Sequence, residues 1–491
     1  MVFSSISFLF FILPLFLVGF HLLPAKLKLP FLLVSSLFFY FWGENYLVWI
    51  LVVSTSIDYL SSLLIADGFK KSGPKKLLLN GHRSRKQKIG LAISIFSNLG
   101  FLAYFKYYNF FFDNFIAFTE RVGIDFLMSE QTAKVALPLG ISFYTFQSMS
   151  YTIDVYRGKV TATKSFIRFA SFVSMFPQLV AGPIVRYSDI EEQINHHKIT
   201  LDGFVIGLNR FIVGLAKKVI IADTMAVVAD HIFALPANEL STGLAWLGVF
   251  AYSLQIFYDF SGYSCMAIGL GRMIGFTFPE NFNYPFISRS IREFWNRWHI
   301  SLSTWFRDYL YFPLGGSKKG GFTTYRNLFI VFSVCGLWHG ASWNFVLWGM
   351  FHGVFLVIER LPFIKRYFNF PRVFEHIYAM LVLNIGWALF RPETLSESWV
   401  YLNALFGNTM AETQLSSFGA VIRKDTVIVI ILGLLFSTPF TSLLKNKLKS
   451  INQSIDLQSN YVYYFIMLFL LFLSVMRIAT SSYSPFIYFR F

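Results

Sequence analysis

The stretch "FSSISFLFFILPLFLVGFHLL", Phe3 to Leu23, holds no Lys, Arg, Asp or Glu. A helix of that length covers about 30 Å, the thickness of a bilayer's hydrocarbon core. No basic segment precedes it and no small-x-small cleavage site separates it from Lys26, so it reads as an uncleaved first span rather than a signal peptide. Comparable runs recur at 29–43, 46–66, 89–117, 133–155, 203–233, 242–275, 325–358, 374–391, 424–444 and 460–477, the run 325–358 reading as two helices broken near Gly340. The whole chain agrees with the first run. Of 491 residues, 55% are hydrophobic and 14% charged, and Phe alone accounts for 60; mean hydropathy is +0.55. Soluble domains carry about 25% charged residues. The expected class is therefore an all-α polytopic membrane protein, one transmembrane domain over 1–491.

The net charge of +16 needs no nucleic acid to account for it, because membrane proteins concentrate Lys and Arg in cytoplasmic loops. Lys70, Lys71, Lys75, Lys76, Arg83, Arg85, Lys86 and Lys88 occur between 70 and 88 with no acid among them, which marks a cytoplasmic loop. Such a loop also attracts anionic ligands or membrane lipid. Three spans then place the N-terminus outside, and Glu120, Asp125 and Glu130 fall in an outer loop near 118–132. The two cysteines, Cys265 and Cys335, lie in apolar stretches, with no disulfide framework and no zinc spacing.

Two segments, 160–202 and 278–324, are too polar for simple spans and too aromatic for free loops. "FPQLVAGPIVRY", 176–187, places two prolines and a glycine inside an apolar run. Irregular backbone at membrane depth is tolerated only under protein cover or beside a wet cavity, so short horizontal or re-entrant helices are expected in both segments. His196 and His197 fall in a polar part of the first and read as solvated.

"FWNRWHISLSTWFRDYLY", Phe294 to Tyr311, lies in the second. On one continuous helix, Arg292, Asn296, His299, Ser303 and Arg307 follow i, i+4, i+7, i+11, i+15 and share a face. Phe294, Trp298, Leu302 and Trp305 lie opposite, and Glu293 and Arg297 form an i, i+4 pair. An amphipathic helix with its basic residues among headgroups accounts for the pattern; a polar face toward a wet cavity accounts for it equally, and a histidine among arginines favours that cavity. The second signal is "GLWHGASWNF", Gly336 to Phe345: His339 between two glycines, with Trp338 and Trp343 as candidate walls. A buried histidine is often a packing residue, but a neutral imidazole in the membrane is also ready to act as a general base. His352, thirteen residues on, falls on a different helical face, so the pair does not read as a metal site. Asp154 and Arg157 mark a span end, Asp259 is either structural or in the cavity, and "GLGRMIG", 269–275, reads as helix-packing glycine rather than a nucleotide loop.

Together "LPLGISFYTFQSMSYTIDVYRG" (137–158), "FPQLVAGPIVRY", "ENFNYPF" (280–286), "FWNRWHISLSTWFRDYLYFPLGG" (294–316), "RNL" (326–328), "GLWHGASWNF" and the closing "PFIYFRF" (485–491) resemble the membrane-bound O-acyltransferase family, most of all the branch that holds the membrane subunits of alginate O-acetyltransferases. The likeness runs nearly end to end. It implies a ring of about eleven tilted helices around a central funnel through the membrane. It implies acetyl-CoA as a cytosolic donor substrate with no bound cofactor, and a bacterial inner-membrane, multi-pass location. It also implies a periplasmic SGNH-like acetyltransferase as the partner that modifies an exopolysaccharide. The histidines that match the family's are His299 in "RWHISLS" and His339 in "LWHG", the latter matching its principal catalytic histidine. On that basis His339 is the expected general base and His299 orients the acceptor or holds developing charge. Arg307 meets donor phosphates, Arg292, Asn296 and Ser303 line the polar face, and Trp338 and Trp343 exclude water. One departure stands out: where the family pattern leads to an acid in "SGYSDMAIG", this chain has Cys265. The rivals are a peptidoglycan O-acetyltransferase, a teichoic-acid D-alanyltransferase and a polysaccharide transporter without chemistry; a transporter consumes no labelled acetyl-CoA.

Overall fold

A computed structural model of the chain describes residues 3–79, 81–123, 134–180, 182–318, 320–367, 371–409, 411, 418–419, 421–444 and 461–480. Among these every regular element is a helix. The segments 25–65, 85–105, 372–390 and 461–480 are long and apolar enough to cross a membrane, and 8–22 and 343–358 are shorter apolar helices. Asp125, Glu130 and the closing "PFIYFRF" lie outside the described residues.

The chain divides into two compact units, one built mainly from 7–205 with 270–279, the other from 206–269 and 280–491. In the first, helices α1 (Val48–Ile65), α2 (Arg85–Phe105) and α3 (Ile141–Arg157) pack together. Ser84 starts α2 with a reciprocal bond to Gln87, a capping box that ends the basic loop. The run read as 89–117 is two helices, because α2 stops at Phe105 and a second helix begins at Tyr108. Between the three packed helices Asp58 is fully buried and accepts from Ser94 Oγ at 2.6 Å and from Asn98 Nδ2 at 2.9 and 2.8 Å. A carboxylate removed from water needs such donors to be tolerated. The basic loop is fastened to the end of α3. Arg83 Nε donates to the Tyr156 carbonyl at 2.6 Å, and its other nitrogens donate to the Gly81 and Leu78 carbonyls. Gly158 closes α3 at φ +81°, and a Cβ there would run into the Leu77 carbonyl. Both the left-handed turn and the close approach require glycine.

The segment 160–202 holds short helices at Phe166–Ser174, Phe176–Leu179 and Tyr187–Asn195. His197 is half-buried rather than solvated: its Nε2 lies 2.6 Å from the Ile274 carbonyl and its ring meets Phe276.

The second unit supplies most of α4 (Thr242–Met273), then α5 (Ile291–Arg297), α6 (Ile300–Phe306), α7 (Gly321–His339), α8 (Trp343–Ile358), α9 (Arg372–Phe390) and α10 (Lys424–Phe436). The run 325–358 breaks at Gly340, where the sequence places the break. α7 and α8 then return against each other so closely that a Cβ on Gly336 would strike the Phe345 carbonyl and come within 3.0 Å of Gly349. Thr394 and Glu397 form a capping box that starts a helix over Leu395–Leu405.

Candidate active site

The stretch around His299 is two seven-residue helices, not one. α5 ends where the Trp298 amide bonds the Phe294 carbonyl, and α6 starts where the Ser303 amide bonds the His299 carbonyl. His299 itself stands between them at φ +43°, ψ +52°. That left-handed conformation costs a non-glycine residue about 1–3 kcal/mol, so neighbouring contacts must hold it. They come from the segment upstream. The Ile300 amide donates to the Asn281 carbonyl at 3.0 Å, and the Asn283 amide donates to the Arg297 carbonyl at 2.9 Å. Glu359 fixes the far end of α5, its carboxylate accepting from the Ile291 and Arg292 amides at 2.6 and 3.0 Å.

The break overturns the shared polar face. Arg292 and Asn296 lie exposed on α5, and Arg307 is exposed just past the end of α6, paired with Asp308 at 2.7 Å. Ser303 is half-buried, its Oγ 3.5 Å from the Trp298 carbonyl. Of the five stripe residues only His299 is buried. The Glu293–Arg297 pair does form, at 3.0 Å.

The Asn281 side chain organises His299. Its Oδ1 lies 3.2 Å from His299 Nδ1, 3.1 Å from the Ser301 amide and 2.9 Å from Ser301 Oγ. A backbone amide can only donate, so the atom facing it is the carboxamide oxygen, which can only accept. Nδ1 of a neutral His299 therefore carries the proton, and Nε2 carries the lone pair. The same oxygen caps α6 from a distant part of the chain, a service His299 does not perform for its own helix.

His339 is the last residue of α7 and is buried. Its ring lies 5.0 Å from Trp338, 5.1 Å from Trp348 and 5.5 Å from Phe390. Trp338 also lies 6.2 Å from His299, so one indole stands against both imidazoles. Phe260 of α4 meets His299 edge-on at 4.6 Å. Trp338 thus stands against both rings. Trp343 does not: at the start of α8 it is 51% exposed, and Trp348, five residues further on, takes the inward place with Phe390 of α9. His352 also packs on Trp348, at 4.9 Å, and on Trp295 at 5.3 Å. Among the described residues no group of three His, Cys, Asp or Glu side chains is arranged to hold a metal ion.

Outside this cluster, Asp259 stands in an ion pair. It is buried with Lys218, whose Nζ reaches Asp259 at 2.8 Å and Asp223 at 2.7 Å. Cys265 sits half-buried, its Sγ 3.6 Å from Lys217 Nζ, and Asp154 at the end of α3 lies 3.6 Å from Lys159. Spacing along the chain does not single out Asn281, Trp348 or Phe390. The only sequence trace of Asn281 is its place in "ENFNYPF".

Two buried imidazoles sharing an indole inside an all-helical apolar chain fit acyl transfer to a hydroxyl, and comparison with known proteins agrees. Residues 45–390 match the model of the membrane-bound O-acyltransferase family. The chain belongs to that family, and it is a membrane protein. It is similar over the full length of both chains to the "Probable alginate O-acetylase AlgI" of Azotobacter vinelandii, with 40% identity. It is 44% identical to the protein of the same description from Pseudomonas aeruginosa, over 83% of this chain and 75% of the relative. A "Peptidoglycan O-acetyltransferase" of Helicobacter pylori is 33% identical over 83% of this chain and 80% of its own length.

Proposed function

We propose that this protein is a multi-pass O-acetyltransferase of a bacterial inner membrane, which takes acetyl groups from cytosolic acetyl-CoA for the O-acetylation of an exopolysaccharide. The observation that carries the reading is the pair of buried imidazoles, His299 and His339, both set against Trp338 in a chain of this family. His339 takes the proton of the acceptor hydroxyl as its oxygen attacks the thioester carbonyl. The C–S bond breaks, and the proton passes to the departing thiolate. General-base assistance of this kind is worth about 10²–10⁴-fold. His299, with Nδ1–H committed to Asn281, presents Nε2 as an acceptor. It orients the acceptor hydroxyl, and in this tautomer it does not donate to a developing oxyanion. Trp338, Trp348 and Phe390 keep bulk water from the thioester.

Alginate is the favoured polymer because the relatives bearing that word are 40% to 44% identical, against 33% for the peptidoglycan relative, over at least as much of this chain. A periplasmic SGNH-like acetyltransferase is the expected partner. The test is transfer of label from acetyl-CoA by the purified protein with that partner. His339→Ala abolishes transfer while the protein still expresses and melts as the wild type does; normal transfer by that variant removes His339 from the reaction. A peptidoglycan acceptor is the second reading, on the likeness to the Helicobacter protein. Label appearing in peptidoglycan strands and not in alginate would establish it.

A further inference from the structure

A cavity of about 700 Å³ lies along α9 between α4 and α10, away from the histidines' ring cluster. Its lining is mainly apolar, with Leu254, Phe286, Met380, Leu383 and Leu434 among the walls. Polar groups gather at its two ends. At one end stand Arg372, which begins α9, and Arg289, which lies 3.8 Å from Glu375; the His376 ring is fixed there, its Nδ1 3.0 Å from the Ser288 carbonyl. At the other end Ser253 Oγ and Asn384 Oδ1 bond each other at 3.0 Å and so satisfy themselves. From Arg372 to Asn384 is twelve residues of helix, about 18 Å.

α9 is one of the helices long and apolar enough to cross a membrane, and charged residues at the end of such a helix sit at headgroup level. The cavity therefore enters at the headgroups and descends about the depth of one leaflet, ~15 Å. The sequence from Arg360 to Arg372 holds four basic residues and no acid, which places this end on the cytoplasmic side. Anionic headgroups of the cytoplasmic leaflet attract basic segments that lie against it. Shape, depth and charge agree on one occupant.

We propose that this trough holds one anionic phospholipid of the cytoplasmic leaflet, its phosphate between Arg289 and Arg372 and one acyl chain laid along Met380 and Leu383. The site is separate from the histidine pair and does not depend on what that pair catalyses. Arg289 and Arg372 each contribute through charge, and about 1 kcal/mol per basic residue corresponds to roughly fivefold in affinity.

The experiment is native mass spectrometry of the purified full-length protein in detergent with three probes: phosphatidylglycerol, phosphatidylcholine of the same chains, and glycerol 3-phosphate. The expected result is retention of phosphatidylglycerol at least about fivefold over phosphatidylcholine, with glycerol 3-phosphate neither bound nor competing. Arg372→Gln leaves the Arg289–Glu375 pair in place and lowers retention about fivefold. Met380→Trp fills the trough and removes retention of both lipids, with the melting temperature recorded for each variant. Equal retention of the two lipids by the wild type, displacement by glycerol 3-phosphate, or wild-type retention by Met380→Trp overturns the proposal.

Discussion

Replacing Asn281 tests the site most directly, because one oxygen atom serves both the fold and the imidazole. In Asn281→Ala the Ser301 amide, Ser301 Oγ and His299 Nδ1 all lose the partner they share. A buried donor left unmade costs about 1–3 kcal/mol, and loss of an Asn cap typically about 1 kcal/mol. The hydroxyl can turn to another acceptor, so the expected destabilisation is about 2–4 kcal/mol, seen as a lower melting temperature in detergent. The catalytic effect is separate. Without the fixed acceptor, His299 samples both tautomers and other ring orientations, and kcat for acetyl transfer falls by about 10²-fold, the scale of loss when a reacting group is misplaced by about 1 Å. Ser301→Ala removes only one of the three donors; it costs about 0.5–1.5 kcal/mol in stability and leaves kcat within a factor of about two. Asn281→Asp keeps the accepting oxygen and recovers part of the rate lost in the alanine variant. The assay is label transfer from acetyl-CoA at a temperature where every variant is folded. If Asn281→Ala matches the wild type in kcat while His299→Ala is inactive, the tautomer argument is wrong.

Three further outcomes follow from packing. Gly336→Ala pushes a methyl group into the Phe345 carbonyl and the Gly349 backbone, and overpacking of this kind lowers stability by about 1–3 kcal/mol, measurable as a melting shift. Lys218→Met strands Asp223 and Asp259 without their shared cation, and breaking a buried pair costs about 3–5 kcal/mol, so yield and melting temperature both fall. Trp348→Ala removes a wall of the His339 site, and purified protein without acceptor then hydrolyses acetyl-CoA faster than the wild type; unchanged hydrolysis would show that the indole does not exclude water.

The class of protein is readable from the sequence because charge-free runs of span length rarely form anything but membrane helices. The break at Gly340 is readable because two glycines flank a histidine there. The joint at His299 is not. Two seven-residue helices satisfy the same local spacing as one long helix. What separates them is pairing with residues 281–283, well upstream in sequence, and a helical wheel carries no such information. Trp343 misleads for a related reason: proximity to His339 in sequence counts for less than the direction in which α8 leaves the break, which turns Trp348 inward instead. The helix at Leu395–Leu405 is within reach of the sequence, since "TLSE" at 394–397 is a capping signature in plain view.

Arg83 has a practical consequence for anyone mapping which side of the membrane each loop occupies. Its guanidinium clasps three main-chain oxygens, on Leu78, Gly81 and Tyr156, so this part of the loop behaves as a clip rather than a tether. An epitope tag or reporter grafted between Leu78 and Arg83 would pry the clip open and loosen the last turn of α3, giving a sidedness signal from a damaged molecule. The exposed Lys70–Lys71 turn, a few residues earlier, takes the same graft without touching it.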